Sequence, residues 1–162
     1  MAGVWAQRVF SRYFETMTAA IDPAQMLRAG QAILATQPFS VLLGAELHSF
    51  TPGHCELHVP ITDKIRQQHG FVHGGVVSYA ADNALTYAGG SLLGGAAVTS
   101  EFKINYVRPA IGERLIARAH AVHTGSSQAV CRCDVFVLTQ GVEKLCAVAQ
   151  GTIARLPAAK TS

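Results

Sequence analysis

The chain is short of charge: Asp, Glu, Lys and Arg make up 14% of its 162 residues, with 13 basic side chains against 10 acidic ones. The net charge of +3 is scattered along the sequence rather than gathered into a stripe, which excludes the electrostatic footprint of a nucleic-acid binder. Four cysteines, Cys55, Cys131, Cys133 and Cys146, contain no CxxC pair. That argues against a zinc ribbon or a disulfide framework and fits free thiols in the reducing cytoplasm. No apolar run reaches the roughly 18–20 residues that a membrane span needs. Gly89, Gly90, Gly94 and Gly95 are followed by no Lys-Ser/Thr pair, and no GxGxxG is present, so a nucleotide cradle is not indicated. These glycines read as loosening the exit of a helix. Ser78, Ser91 and Ser100 lie in no GxSxG elbow, which leaves a serine nucleophile without support.

What the chain has is apolar mass. Half of it is hydrophobic, 49%, enough for one core of ordinary domain size. The low charged fraction is compatible with surface covered by other subunits. A helical lead-in is expected from Val4 to about Ala35, with Pro23 opening a second helix after the capping Asp22. Strand patterning follows over Val41–Phe50 and His54–Ile61, joined by the Thr51-Pro52-Gly53 turn. The run from Gly74 to about Leu93 is apolar or small on nearly every side and reads as one buried helix. Strand-like runs then cover Ala97–Val107, Arg114–Thr124, Ala129–Leu138 and Lys144–Leu156. This order implies an α+β domain, with an antiparallel sheet against one long helix. The division expected is a helical extension over 1–36, a domain over 37–157 and a tail over 158–162. Arg8 and Arg12 with a single acid, Glu15, faintly suggest a transit peptide, but a terminal helix is the simpler reading.

Asp82 is the outlier of the central helix. It is a carboxylate among Ala80, Ala81, Ala84 and Leu85, with no basic partner at helical spacing. A desolvated carboxylate is a recurrent form of general base or nucleophile, although a hydrogen bond within a structural contact would also account for it. Upstream, Gln67-Gln68-His69-Gly70-Phe71-Val72-His73-Gly74-Gly75 brings glycines to the helix start. Unpaired N–H groups and the helix dipole there can polarise a carbonyl oxygen. His54, Glu56 and His58 alternate on one strand face without HExxH spacing and are read as solvated. Cys131 and Cys133 share a face and are read as core or subunit-contact residues, not as a metal site.

Taken together, Gly70, His73-Gly74-Gly75, Ala80 and Asp82 resemble the hotdog-fold thioesterases of the phenylacetate-pathway type, over about Gln37 to Leu156. The resemblance implies a curved antiparallel sheet wrapped around the central helix. It also implies a homodimer or homotetramer with its sites at the dimer interface, and hydrolysis of an acyl-coenzyme A with an aromatic or a medium- or long-chain acyl group, without cofactor or metal. By the same resemblance Asp82 is general base or nucleophile, and Gly74 N–H polarises the carbonyl with Gln67 or its neighbour Gln68. Thr99 steadies the attacking water, His73 orients the helix start, and Gly75 lines the substrate. Arg108, in Ile104–Pro109, and the turn Gly125-Ser126-Ser127 are candidates for coenzyme A phosphates. The rival readings are an enoyl-thioester hydratase or dehydratase, which wants a catalytic His and acid, and a non-catalytic acyl-thioester sensor, which wants a basic helix-turn-helix.

Overall fold

The structure, a computed structural model, describes residues 22–157; the lead-in expected before Asp22 and the tail from Ala158 lie outside them. Helix α1, Pro23–Leu34, begins as the sequence suggests, with Asp22 Oδ1 accepting from Ala24 N–H at 3.0 Å and Pro23 in the first turn. It buries Met26, Gly30 and Leu34. The next segment corrects the sequence reading. Pro38–Leu43 forms a short helix α2 rather than the start of a strand, and it ends at Gly44 in the left-handed region, φ 66°. Pro38 again occupies the helix start, and Gly44 tolerates a positive φ that a side chain would resist. Local turn chemistry therefore outweighs the β-branched and aromatic content of Phe39 and Val41.

Strands β1, Glu46–Thr51, and β2, His54–Pro60, form the expected hairpin. Helix α3 spans Gly74–Leu93 and is followed by β3, Ala97–Tyr106, β4, Arg114–Thr124, β5, Gln128–Thr139, and β6, Val142–Arg155. All six strands join one antiparallel sheet in the order β1-β2-β4-β5-β6-β3. Strand β3 returns to the far edge after α3, and among the described residues no strand pairs with its outer side.

The sheet curls around α3 because the helix offers a low-relief surface to it. Ala80, Ala81, Ala84, Leu85 and Ala88 are wholly buried, facing a layer that includes Leu57, Val59, Leu115, Ala117, Cys133 and Val135. Small side chains on the helix let the two layers approach closely. Gly89 belongs to this contact rather than to a loosened exit: a Cβ there would lie 2.7 Å from Ile153 Cγ1. Each large side chain buried in this layer contributes about 1.5–3 kcal/mol of transfer free energy. All four cysteines are free and buried. Among the described residues no helix is long and apolar enough to cross a membrane.

Candidate active site

The site begins with a departure from strand alternation. In β3 the register against β6 slips between Thr99 and Glu101, so that one extra residue bulges out. Thr99, Phe102 and Ile104 are partly buried, while Ser100, Glu101 and Lys103 are exposed. Strict alternation would put Thr99 on the face opposite Phe102; the bulge turns it back toward the helix. There Thr99 Oγ1 donates to Asp82 Oδ1 at 2.6 Å. Thr86, one turn along α3, lies 2.8 Å from Thr99 Oγ1 and donates to the Asp82 carbonyl at 2.9 Å. Asp82 is half-buried, and its Oδ2 takes no hydrogen bond among the described residues. One carboxylate oxygen is thus held by a short hydroxyl bond while the other stays available.

The second part of the site is the start of α3. His73 is the N-cap, and its Nδ1 accepts from Gly75 N–H at 3.0 Å. The imidazole therefore caps and orients the helix, and its acceptor nitrogen is committed to that task. Gly74 N–H has no acceptor among the described residues, as expected of a first-turn donor. Tyr106, at the end of β3, donates from its hydroxyl to Gly74 O at 3.1 Å and lies 2.5 Å from Ser78 Oγ. Gln67 is half-buried in a tight turn, donating its N–H to Phe71 O and accepting from Gly70 N–H, both at 2.9 Å. Its side-chain Oε1 accepts from His69 N–H at 3.3 Å, which leaves the amide NH2 unspent among the described residues. Gln68 is exposed.

These two parts do not meet within one protomer. Gly74 and Asp82 are eight residues apart on one helix, about 12 Å along its axis at 1.5 Å per residue. The phosphate candidates are also separated. Arg108 follows the Tyr106 end of β3 and donates to Leu145 O at 3.1 Å. The Gly125–Ser127 turn lies at the opposite end, where Ser127 O accepts from Arg155 N–H at 2.8 Å and Arg155 pairs with Ala97. Val98 and Tyr106 are roughly 27 Å apart along an extended strand, so one protomer cannot present Arg108 and that turn to the same phosphate.

Sequence reasoning missed Thr86 and Tyr106. Thr86 was detectable as the residue four after Asp82, on the same helix face. Tyr106 gave no local signal, because its role depends on where β3 ends relative to the helix start.

The alternating His54, Glu56, His58 face also needs correction. His58 is 6% exposed rather than solvated. Its Nε2 meets Glu56 Oε1 at 2.7 Å, Arg114 Nη1 lies 3.2 Å from its Nδ1, and His48 stacks on the ring at 4.4 Å. Arg118 Nε donates to Glu56 Oε2 at 2.7 Å and its guanidinium also grips Glu143. Ligand atoms of His48, Glu56 and His58 fall within 4.8 Å of one another. The geometry nevertheless suits a metal poorly: the ring planes are 9° from parallel, so their in-plane lone pairs do not converge, and two guanidiniums adjoin the cluster. Burial pulls the His58 pKa down, with His48 and Arg114 adding to it against the opposing pull of Glu56. Burial alone would push Glu56 up, but its hydrogen bonds to Arg118 and His58 prevail and hold it below the usual carboxylate value. The cysteines are no better placed for chemistry. Burial pushes the Cys131 and Cys146 thiols up to about 11, and raises Cys55 and Cys133 as well, which keeps thiolate scarce at neutral pH.

Comparison with known proteins agrees with this architecture. The family model described as Thioesterase superfamily matches residues 69–144, which include both Gly74 and Asp82. A solved thioesterase family protein of Silicibacter pomeroyi is 36% identical, with 85% of this chain and 100% of that one covered and a TM-score of 0.77. The PaaI protein from the phenylacetic acid degradation operon of Escherichia coli is 25% identical over 83% of this chain and 96% of its own, with a TM-score of 0.73. A 1,4-dihydroxy-2-naphthoyl-CoA hydrolase of Listeria monocytogenes is 26% identical over 69% of this chain and 90% of its own. With the single sheet, the enclosed helix and these relatives in view, the chain belongs to the thioesterase superfamily, as a hotdog-fold, PaaI-like enzyme that hydrolyses thioesters.

Proposed function

We propose that the protein is an acyl-coenzyme A thioesterase whose site is assembled from two copies of the chain, with Asp82 as its catalytic carboxylate. The observation that carries this reading is the Thr99–Asp82 hydrogen bond of 2.6 Å, which steadies one carboxylate oxygen and leaves the other free for a proton or a carbonyl carbon. Residues 37–157 form the catalytic unit in this reading, with 22–36 packed on it.

The requirement for two copies follows from distance. A carbonyl polarised by Gly74 N–H cannot also touch Asp82 of the same helix, about 12 Å away. Gly74 is tied to the Tyr106 end of β3 and Asp82 to the Thr99 end. Antiparallel pairing of two β3 edges about a two-fold axis carries each end to the opposite end of its mate, bringing Gly74 of one protomer toward Asp82 of the other. The same pairing brings Arg108 toward the partner's Gly125–Ser127 turn. Exposed Val98, Tyr106 and Val107 supply the edge with apolar surface to cover.

In the reaction, Gly74 N–H and the Gln67 amide hold the thioester oxygen as negative charge develops on it. As base, Asp82 takes a proton from water while the water oxygen bonds to the carbonyl carbon. The C–S bond then breaks, and the sulfur leaves as thiolate and takes up a proton. As nucleophile, Asp82 instead forms a mixed anhydride that water cleaves. Both routes yield a carboxylic acid and free coenzyme A.

Mixing two disabled variants tests the reading. Asp82→Asn keeps shape but loses the base. Gly74→Pro removes the N–H at a first-turn position that accepts proline, after His73 whose ψ of 134° is already extended. Each should release little thiol from acyl-coenzyme A alone. Refolded together, half of the dimers are mixed with one of two sites intact, so about a quarter of the wild-type rate should return. No recovery, with both variants folded, would remove the shared site; a near wild-type rate for Asp82→Asn would remove the carboxylate role.

A further inference from the structure

The Gly74-Gly75 pair gives the start of α3 a permissive backbone, yet an N–H that polarises a thioester has to hold one direction, because a hydrogen bond weakens steeply below about 120°. Two peptide planes meet at Gly74. The plane before it carries the Gly74 N–H and the His73 carbonyl, which accepts from Val76 N–H at 2.9 Å and from Val77 N–H at 3.4 Å. The plane after it carries Gly75 N–H, bonded to His73 Nδ1 at 3.0 Å, and the Gly74 carbonyl, which accepts from Tyr106 OH at 3.1 Å. Of these polar groups, the Gly74 N–H is the one without a partner among the described residues.

Tyr106 reaches this point from outside the helix. A phenol has one proton; given to Gly74 O, it leaves the phenol oxygen to accept from Ser78 Oγ, 2.5 Å away. Ser78 stands four residues after Gly74 and four before Asp82, so the three share one face of α3. The tyrosine ring lies against the glycine: a Cβ at Gly74 would be 3.5 Å from Tyr106 Cζ and 3.5 Å from its hydroxyl oxygen. Burial does not account for the hydroxyl. Tyr106 is 54% exposed, and a phenylalanine would keep the same apolar contact. A carbonyl has two lone pairs, so the bond from Tyr106 adds to the helical ladder without competing with it.

Resting on the thioesterase reading above, we infer that Tyr106 is a positioning residue: it clamps the peptide that follows Gly74 and so aims the Gly74 N–H at the thioester oxygen, while Ser78 holds the phenol in place. With the second plane loose, the glycine can turn about its own φ and ψ and carry the N–H off line. With both planes held, it cannot. Misdirection costs most when the oxygen bears negative charge in the transition state, so the effect belongs to kcat more than to KM. Strand β3 then serves the site at both ends, Thr99 steadying the carboxylate and Tyr106 the carbonyl donor.

A double-mutant cycle tests this, read as thiol release from phenylacetyl- or decanoyl-coenzyme A, whichever the wild type cleaves faster. Tyr106→Phe keeps the ring and should lower kcat about tenfold, with KM changed less than about twofold. In Gly74→Pro, whose N–H is already gone, the same substitution should lower the residual rate less than about twofold. Ser78→Ala, which favours the helix, should lower kcat about threefold. A tenfold loss in both backgrounds, or a raised KM with kcat unchanged, overturns the inference, since the hydroxyl would then act on something other than the Gly74 N–H. So does a kcat within about twofold of wild type in Tyr106→Phe or, should that variant not fold, in Ser78→Ala. With an active wild type, each of these results leaves the thioesterase reading standing. No thiol release by the wild type from aromatic or linear acyl-coenzyme A overturns that reading, and this inference with it.

Discussion

Two carboxylates in this molecule sit in polar clusters of opposite character. Glu56, on the outer face of the sheet, has both oxygens occupied, one by His58 and one by Arg118, while Arg118 is held further by Glu143. Asp82, on the enclosed helix, has one oxygen bound to Thr99 and the other without a hydrogen bond among the described residues. A carboxylate with both oxygens engaged by its own fold is poorly placed to accept a proton from a substrate or water. A carboxylate steadied on one side and open on the other presents an oxygen at a defined position. Proximity to histidine, which drew attention to the Glu56 strand in the sequence, is therefore a poorer guide than unspent valence.

The contrast predicts that Asp82→Asn lowers kcat by about a thousandfold, or roughly 4 kcal/mol, with thermal stability nearly unchanged. Glu56→Gln should do the reverse. It weakens the charged bonds to Arg118 and His58 and costs about 1–2 kcal/mol in urea unfolding, limited by the 40% exposure of the Arg118 side chain, while kcat stays near wild type. If Glu56→Gln abolished turnover and Asp82→Asn spared it, the assignment would be inverted. Thr99→Val keeps volume but frees the bound oxygen of Asp82, and should reduce kcat about tenfold with a smaller change in KM. A stability loss without a kinetic effect would make Thr99 only a packing residue.

The gentlest test is pH. The buried neutral form of His58 is favoured in the fold, so its contribution is full above the ordinary value of 6.5 and is lost as pH falls from there toward its lowered folded value. Glu56 adds a second loss in the same direction, starting below its ordinary 4.5. The melting temperature should fall in two stages on acidification, and His58→Gln should remove the earlier one. An unchanged first stage would locate that proton uptake elsewhere.

Much of this was legible from residue order. The run from Gly74 to Leu93 was recognisable as a buried helix because small and apolar residues surround it, and its bounds agree with the structure. Asp82 stood out because nothing in its helical neighbourhood compensates a charge. The turns at Gly53 and Gln140–Gly141 set the hairpins. Pro38–Leu43 was misread because apolar strand formers hid a proline-started helix, and His58 was misread because an alternating polar face is solvated only if its neighbours leave it so.

Local sequence by itself determined which segments form helix or strand, that Gly74 opens a helix, and that Asp82 lies two turns inside it, since those properties depend on residues a few positions apart. Tertiary structure alone decided that Thr99 faces Asp82, because a one-residue bulge inverts the parity of β3, and that Tyr106 anchors the other end of the strand at Gly74. It also decided that Gln37 accepts from Asn83, 46 residues away. Those relations arise from how sheet and helix pack, and no periodicity within a single segment encodes them.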